Sequence, residues 1–175
     1  AQTTLFNIQQ EIDWLSKVES IGSISNETSR KVQQQYEENP YPRWHRLFKM
    51  HHTHNYFKHI ESQINQIKKT TFNYKNHAQK PHILIAGCGT GAHPLNIAVN
   101  ADCKVTAIDI SSRSIAYAMM MQNRHKITNI NFFQLAIIEL DKLNIIFDAA
   151  DTCGVLHHML TPEQSLNAII NSDTT

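Results

Sequence analysis

The sequence predicts an α/β fold, a parallel sheet preceded by a helical N-terminal extension. Three observations predict it. The first eighty residues repeat their apolar positions every three or four residues, as amphipathic helices do. After Pro81 short apolar runs alternate with helical stretches, a pattern that implies right-handed crossovers and a sheet covered on both faces. The first of those runs ends in a glycine-rich turn, the usual device for bringing backbone close to a ligand at a strand end.

Taken in order, Leu5, Ile8, Ile12, Leu15 and Val18 form the apolar stripe of a first helix. A second helix is expected from Asn26 to Glu38, with Val32 and Tyr36 on its apolar side. Asn39-Pro40-Tyr41-Pro42 ends it, because a residue before proline avoids helical geometry. Phe57, Ile60, Ile64 and Ile67 mark a third helix, and the polar segment Asn73 to Lys80 reads as a linker. Residues 1–80 are therefore expected to be a helical extension with its linker, and residues 81–175 the sheet domain. Within that domain, strands are expected at His82–Ala86, Cys103–Ile108, Ile130–Leu135 and Ile145–Asp151. Helices are expected from Ala92 to Asn100 and from a Ser111 or Ser112 cap to Lys126, the latter packing through Met119, Met120 and Met121. Thr161 followed by Pro162 and Gln164 has the form of an N-cap, a first-turn proline and a capping-box glutamine, and so opens a last helix.

The totals narrow the class of partner. Sixteen basic residues against fifteen acidic ones leave a formal charge of +1, which gives no electrostatic reason to expect nucleic acid or an anionic membrane. No apolar run approaches the roughly 20 residues that cross a bilayer. The start at Ala1-Gln2-Thr3-Thr4 has neither the basic region nor the apolar stretch of a secretory signal, and its lack of an initiator Met reads as a processed or excised piece. Cys88, Cys103 and Cys153 are odd in number and lie in or beside apolar runs, so reduced, partly buried thiols and a cytoplasmic location are expected.

The residues that carry chemistry begin at Gly87-Cys88-Gly89-Thr90-Gly91. Between a strand and a helix start, such a turn places unpaired N–H groups where a carboxylate or phosphate would be held. The plain structural alternative is an ordinary glycine turn. Asp109, at the end of the second strand and about twenty residues on, is placed to accept hydrogen bonds from a ribose diol. Its alternative is a solvated acid capping the next helix through Ser112. Gly87-x-Gly89-x-x-Ala92 also satisfies the dinucleotide fingerprint, so an NAD(P)-dependent dehydrogenase stays open on spacing alone. The histidine-rich stretch His45, His51, His52, His54 and His59 has no HExxH pattern and no matched cysteine pair, and no metal site is assigned to it.

Three stretches decide between the alternatives by resemblance. His82-Ile-Leu-Ile-Ala-Gly-Cys-Gly-Thr-Gly91 resembles the first motif of class I S-adenosylmethionine-dependent methyltransferases, and Val105-Thr-Ala-Ile-Asp-Ile-Ser111 their second strand with its acidic ribose ligand. Phe147-Asp-Ala-Ala-Asp-Thr-Cys-Gly-Val-Leu-His-His-Met159 resembles their fourth-strand motif. The upstream Tyr36-Glu-Glu-Asn-Pro-Tyr-Pro-Arg-Trp44 and the segment Ser114-Ile-Ala-Tyr-Ala118 are similar to the bacterial branch found with tetratricopeptide repeats. The resemblance covers residues 30 to 170 and implies a Rossmann-like sheet. It also implies S-adenosyl-L-methionine as cofactor. The loop Gly87, Cys88, Gly89, Thr90 and Gly91 would hold its methionine portion, Asp109 its ribose and Ile110 its adenine. Ala136 and Ile137 would border the adenine, and Thr152, Cys153, Gly154 and Val155 would lie near the sulfonium.

Substrate contacts are expected from Tyr41 and Trp44, either as a lid over the cofactor or as packing for the N-terminal helices. His157 and His158 would serve as a base or, by preference, as pocket wall. Two positions depart from the family. Ile85 stands where many relatives carry an acid, and Ala136 where an aspartate usually bonds the adenine amino group. The second change removes a contact typically worth about 0.5–1.5 kcal/mol. Four strands are legible where a complete domain of this class has seven. The expectation is therefore a C-terminally truncated, incomplete class I fold whose fourth strand forms an open edge, available for association with itself or with tetratricopeptide repeats. A non-catalytic or degraded S-adenosylmethionine-binding fragment is the alternative function, and the acceptor is not identified.

Overall fold

The structure, a computed structural model, describes residues 2–23, 27–50, 55–68, 80–156, 159 and 161–172. Three helices come first: α1 (Gln2–Leu15), α2 (Glu27–Glu38) and α3 (Tyr56–Lys68). Then follow β1 (His82–Ala86), α4 (Ala92–Asn100), β2 (Lys104–Asp109), α5 (Ser112–His125), β3 (Ile130–Gln134), a 3₁₀ segment (Ile137–Leu143), β4 (Ala149–Asp151) and α6 (Pro162–Asn171). The four strands are parallel in the order β3-β2-β1-β4. The α/β architecture and the parallel sheet agree with the sequence reading.

β1 sits inside the sheet, with Ile85 opposite Ala107 of β2 on one side and Asp151 of β4 on the other. A strand covered on both faces must be apolar on both, and Ile83, Leu84 and Ile85 are all buried. One face packs on α4 and α5 through Leu95, Ile115 and Met121, with Trp14 and Trp44 at its border. The opposite face gathers Leu84, Ile108, Leu135, Leu140, Phe147 and Ile169 under the 3₁₀ segment and α6.

Some boundaries differ from expectation. The fourth strand was expected from Ile145 but pairs only over Ala149–Asp151. The Phe147 N–H donates to the Ser172 carbonyl (3.3 Å) at the end of α6, so the preceding residues follow that helix rather than the sheet. The Thr161 hydroxyl does not accept from the backbone as a capping box requires; it donates to Gln164 Oε1 (3.0 Å). Two positions of the helical stripes are exposed, Ile12 at 54% and Ile67 at 81%, although Val18, further along the first stripe, packs against the core. The side chains of Leu5, Ile8 and Val32 and residues 73–79 of the expected linker lie outside the described ones.

Two long-range ties were not expected at all. Residues around Ser20 extend the free edge of β3: the Gln134 N–H donates to the Glu19 carbonyl (2.8 Å), and the Ile21 N–H to the Gln134 carbonyl (2.9 Å). Glu37 of α2 places its carboxylate on the start of α5. Its Oε1 accepts from the Ser112 N–H (2.6 Å) and the Ser112 hydroxyl (2.9 Å), while Oε2 accepts from the Arg113 N–H (3.3 Å). An anion at a helix N-terminus satisfies orphan donors and the helix dipole together. Ser111 caps the same helix, its hydroxyl accepting from the Ser114 N–H (3.1 Å).

His82 gives the fold a pH dependence. Its ring nitrogen Nε2 lies 2.8 Å from the buried Thr106 hydroxyl, and its ring meets Phe147 edge to face. Burial, then Lys104, hold its pKa below the usual 6.5 against the opposing pull of Asp148. A depressed histidine contributes stability that is full above the unfolded value and lost as pH falls through the folded one. The unfolding midpoint is therefore expected to drop as pH is lowered from 7.5 through 6.5 to 5.5, and His82→Gln to flatten that slope in a thermal scan.

Candidate functional site

A cleft of about 480 Å³ opens beyond the C-terminal ends of β1 and β2, within the range of small-molecule sites. Its floor is the turn after β1. Gly87, Gly89 and Gly91 all have positive φ (79°, 51° and 83°), conformations that side chains rarely adopt. They differ in surroundings. A Cβ on Gly87 would stand 2.1 Å from Val155 Cγ2, and one on Gly91 2.5 Å from Ala118 Cβ, whereas one on Gly89 meets only the Tyr41 carbonyl at 4.0 Å. Gly87 therefore lets the loop after β4 come close, Gly91 lets α5 come close, and Gly89 leaves open space.

The turn's amides face inward. Those of Gly87 and Cys88 both donate to the Ile108 carbonyl (2.9 Å each), and that of Gly91 to the Cys88 carbonyl (3.0 Å). The Gly89 N–H donates to Asp109 Oδ2 (2.7 Å). These four amides hold the turn's own shape, and Pro94 lacks a donor in the first turn of α4.

Asp109 has two tasks rather than one. Besides gripping Gly89, its Oδ1 accepts from the Ser111 N–H (2.9 Å), so the carboxylate locks both flanking loops. Burial, the dominant influence, raises its pKa above the usual 3.8 although the Ser111 and Gly89 N–H groups favour the charged form. A carboxylate has about four lone-pair sites, so each oxygen keeps capacity for one hydroxyl from the cleft it lines.

The walls contain most of the residues singled out in the sequence. Gly87, Cys88, Gly89 and Thr90 lie along the floor with Asp109 and Ile110; Ala136 and Ile137 stand on one side, Cys153, Gly154 and Val155 on another, and Tyr41 on the rim. Gly91 is not on the wall, its α-carbon being turned toward α5. Trp44 is not on it either. Its indole N–H donates to the Thr90 carbonyl (2.9 Å), and its ring stacks on His125 and meets Tyr117 edge-on. Of the two roles weighed for Trp44, the geometry is that of packing. His157 and His158, like His51, His52 and His54, lie outside the described residues. Among the described residues no group of three His, Cys, Asp or Glu side chains is arranged to hold a metal.

Sequence reading missed the part played by the segment around Tyr41. The Thr90 hydroxyl donates to the Pro42 carbonyl (2.5 Å), and the N–H groups of Phe48 and Met50 donate to Asn96 Oδ1 (2.9 Å) and Asn100 Oδ1 (2.7 Å). The segment is strapped along α4 and carries Tyr41 to the cleft rim, with Tyr36 of α2 beside it. The Asn-Pro-Tyr-Pro run signalled a helix end; nothing in its spacing signalled this strap.

The thiols separate sharply. Cys88 and Cys103 are buried, while Cys153 is exposed on the cleft wall, against the expectation of a partly buried group. Burial pushes the Cys88 thiol up and, helped by Asp102, that of Cys103 up to about 11. At pH 8 only about one Cys103 in a thousand is then thiolate, the reactive form. Alkylation of the folded protein with iodoacetamide is expected to label Cys153 alone, as read by mass spectrometry, and all three thiols after denaturation.

The fold and the cleft define the class: an α/β protein whose parallel sheet ends in a glycine turn with an acid at the neighbouring strand tip, the arrangement that receives nucleosides. The methyltransferase-domain family matches residues 77–175, and the chain belongs to it. An uncharacterised protein of Synechococcus is 38% identical over 92 residues, which are 51% of this chain and 22% of that protein, so the chain spans about a fifth of that relative's length. Among solved structures the fold is similar to the [4+2]-cyclase SpnF (TM-score 0.57, 19% identity, 88% of this chain and 59% of that one). It is also similar to the N-terminal domain of EvdMO1 determined with SAH and D-fucose (TM-score 0.52, 18% identity, 81% and 60%). At these identities the likeness is one of fold. No described helix is long and apolar enough to cross a membrane.

Proposed function

We propose that the chain forms the cofactor-binding portion of an S-adenosylmethionine-dependent methyltransferase. The observation that carries the reading is Asp109: a carboxylate in the cleft wall, fixed by two backbone donors and still able to accept two hydroxyls, in a chain of the methyltransferase-domain family. The other walls fit the same ligand. Ile110, Leu135, Ala136 and Ile137 offer an apolar face for adenine, with no acid at position 136 to take its amino group. Tyr36 and Tyr41 on the rim present aromatic surface, which favours a sulfonium by cation–π attraction. When bound, S-adenosylmethionine supplies an activated methyl group. The chain's residues orient the donor and exclude water, and such positioning is the larger part of catalysis for a displacement of this kind.

The similarity of Tyr36–Trp44 and Ser114–Ala118 to the branch found with tetratricopeptide repeats supports a bacterial context in which the repeats accompany the catalytic domain. The acceptor is left open by these residues. Calorimetry with S-adenosylhomocysteine and with NAD tests the reading against the dehydrogenase alternative. Micromolar binding of the first and none of the second is expected, together with slower labelling of Cys153 when the first is bound. Binding of NAD alone would overturn it.

A further inference from the structure

The formal charge of +1 sums over the whole chain and conceals where the charges lie. Between Glu38 and Glu61 there is no acid, while Arg43, Arg46, Lys49 and Lys58 and five histidines fall in that stretch. Its first part is the strap along α4, and the strap has two faces. Trp44 and Leu47 pack inward against the core. Tyr41, Phe48 and Met50 are exposed, at 75%, 73% and 47%. Arg43 is paired with Glu11, but Arg46 and Lys49 are exposed and form no ion pair among the described residues.

Single exposed apolar side chains are ordinary on a protein surface, and this group differs in two ways. First, it is held outward. The Phe48 N–H donates to Asn96 Oδ1 (2.9 Å) and its carbonyl accepts from Asn100 Nδ2 (2.7 Å), while the Met50 N–H donates to Asn100 Oδ1 (2.7 Å). Fixing both backbone groups of Phe48 fixes the direction in which its side chain leaves the chain, and that direction is into solvent. Second, the group is set among cations. Burial, then the charges of Lys49 and Arg124, hold the His125 pKa below its usual 6.5, which sets Lys49 close to the end of α5. Arg124 and Lys126 are exposed there. The whole forms a stripe and not a pocket: residues 43–50 line no part of the cleft, and the nine-residue α4 that the strap follows is roughly 14 Å long.

We propose that the outer face of the strap docks on an anionic lipid surface, a role independent of the cofactor reading. Arg46 and Lys49 meet headgroup phosphates, and Phe48 and Met50 enter the boundary between headgroups and acyl chains. Tyr41, apolar in its ring and polar at its tip, sits at the level of the interface. A bilayer presents charge and apolar depth along one plane, which is what the stripe requires. Nucleic acid fits less well: binding through phosphates draws on more cations than these, and Met50 offers no ring to stack on a base. Docking in this way brings the rim of the cleft at Tyr41 to the membrane surface.

The test is sedimentation of the full chain with vesicles of phosphatidylcholine alone and with phosphatidylglycerol added in equal parts. Binding to the anionic vesicles is expected to be tighter by about 25-fold, two cations at about fivefold each, and to weaken as salt is raised. Lys49→Gln is expected to weaken it by about fivefold, and Phe48→Ser combined with Met50→Ser by about tenfold or more. These side chains are exposed, so the thermal midpoints of the variants are expected to match the wild type. Lys142→Gln, on the 3₁₀ segment over the opposite face of the sheet, is expected to change binding by less than about twofold. Equal binding to the two kinds of vesicle overturns the proposal, as does a loss from Lys142→Gln equal to that from Lys49→Gln. Unchanged binding of the Phe48 and Met50 variant overturns it too. Retention on single-stranded nucleic acid with none on anionic vesicles overturns it in favour of that partner.

Discussion

Asp109→Asn is expected to lower affinity for S-adenosylhomocysteine by on the order of 100-fold, the largest effect of any single polar substitution in the cleft. The carboxylate serves two ligand hydroxyls, and each hydrogen bond to a charged group contributes about 1.5–3 kcal/mol. An asparagine retains one acceptor oxygen and turns an NH2 toward the Gly89 or Ser111 N–H, donor against donor, so the floor of the cleft loosens as well. The effect on folding has the opposite pH sign from that of an ordinary surface acid. Because burial raises its pKa above 3.8, Asp109 contributes stability that is full below that value and lost as pH rises through the folded one. The stability of the wild type relative to Asp109→Asn is therefore expected to improve on acidification, while its ligand affinity falls with loss of the charged acceptor. Calorimetry and thermal scans at matched pH read the two separately.

The second large effect is structural. Gly87→Ala is expected to destabilise the fold by about 2–5 kcal/mol. That sum combines about 1–2 kcal/mol for a left-handed non-glycine residue with about 1–3 kcal/mol for overpacking. The new methyl would stand 2.1 Å from Val155 Cγ2 and 3.0 Å from both Val155 Cβ and Cγ1, so no rotation of the valine relieves it. In a domain of this size the loss lowers Tm by on the order of 10 °C. Val155→Ala in the Gly87→Ala background is expected to return the packing part and leave the backbone part, a coupling between touching residues that a double-mutant cycle reads directly. Gly89→Ala is the contrast. With open space around its Cβ, it is expected to cost about 1–2 kcal/mol of stability and a larger share of ligand affinity, since the methyl enters the cleft itself.

These effects concentrate where the sequence was most readable. The run Ile83–Ile85 is apolar at every position because both faces of β1 are covered, and no local alternative competes with that reading. The glycine turn and Asp109 were legible because strand-end chemistry depends on a few residues at short spacing. What the sequence concealed are contacts whose partners lie far apart along the chain. Glu37 reaches the start of α5 from the N-terminal helices, Ser20 extends the sheet beside Gln134, and His93 meets Asp151 from the next helix. Periodicity reports which face a residue occupies and carries no information on which distant group it finds there. The fourth strand was overestimated for a similar reason. Ile145, Ile146 and Phe147 are as apolar as a buried strand, yet the backbone at Phe147 is taken by the end of α6. The turn amides illustrate a subtler limit, since glycine spacing shows that backbone comes close to something without showing that the something is the chain itself.

The family match and the fold explain why a Rossmann-like sheet with a nucleoside cleft is present; the residues around that cleft decide what enters it. The most direct measurement is a crystal structure of the chain with S-adenosylhomocysteine. The expected result has both ribose hydroxyls within about 2.6–3.0 Å of the Asp109 oxygens and the adenine against Ile110 and Ile137. A ribose more than about 4 Å from Asp109, or a ligand seated outside the cleft, would contradict the assignment.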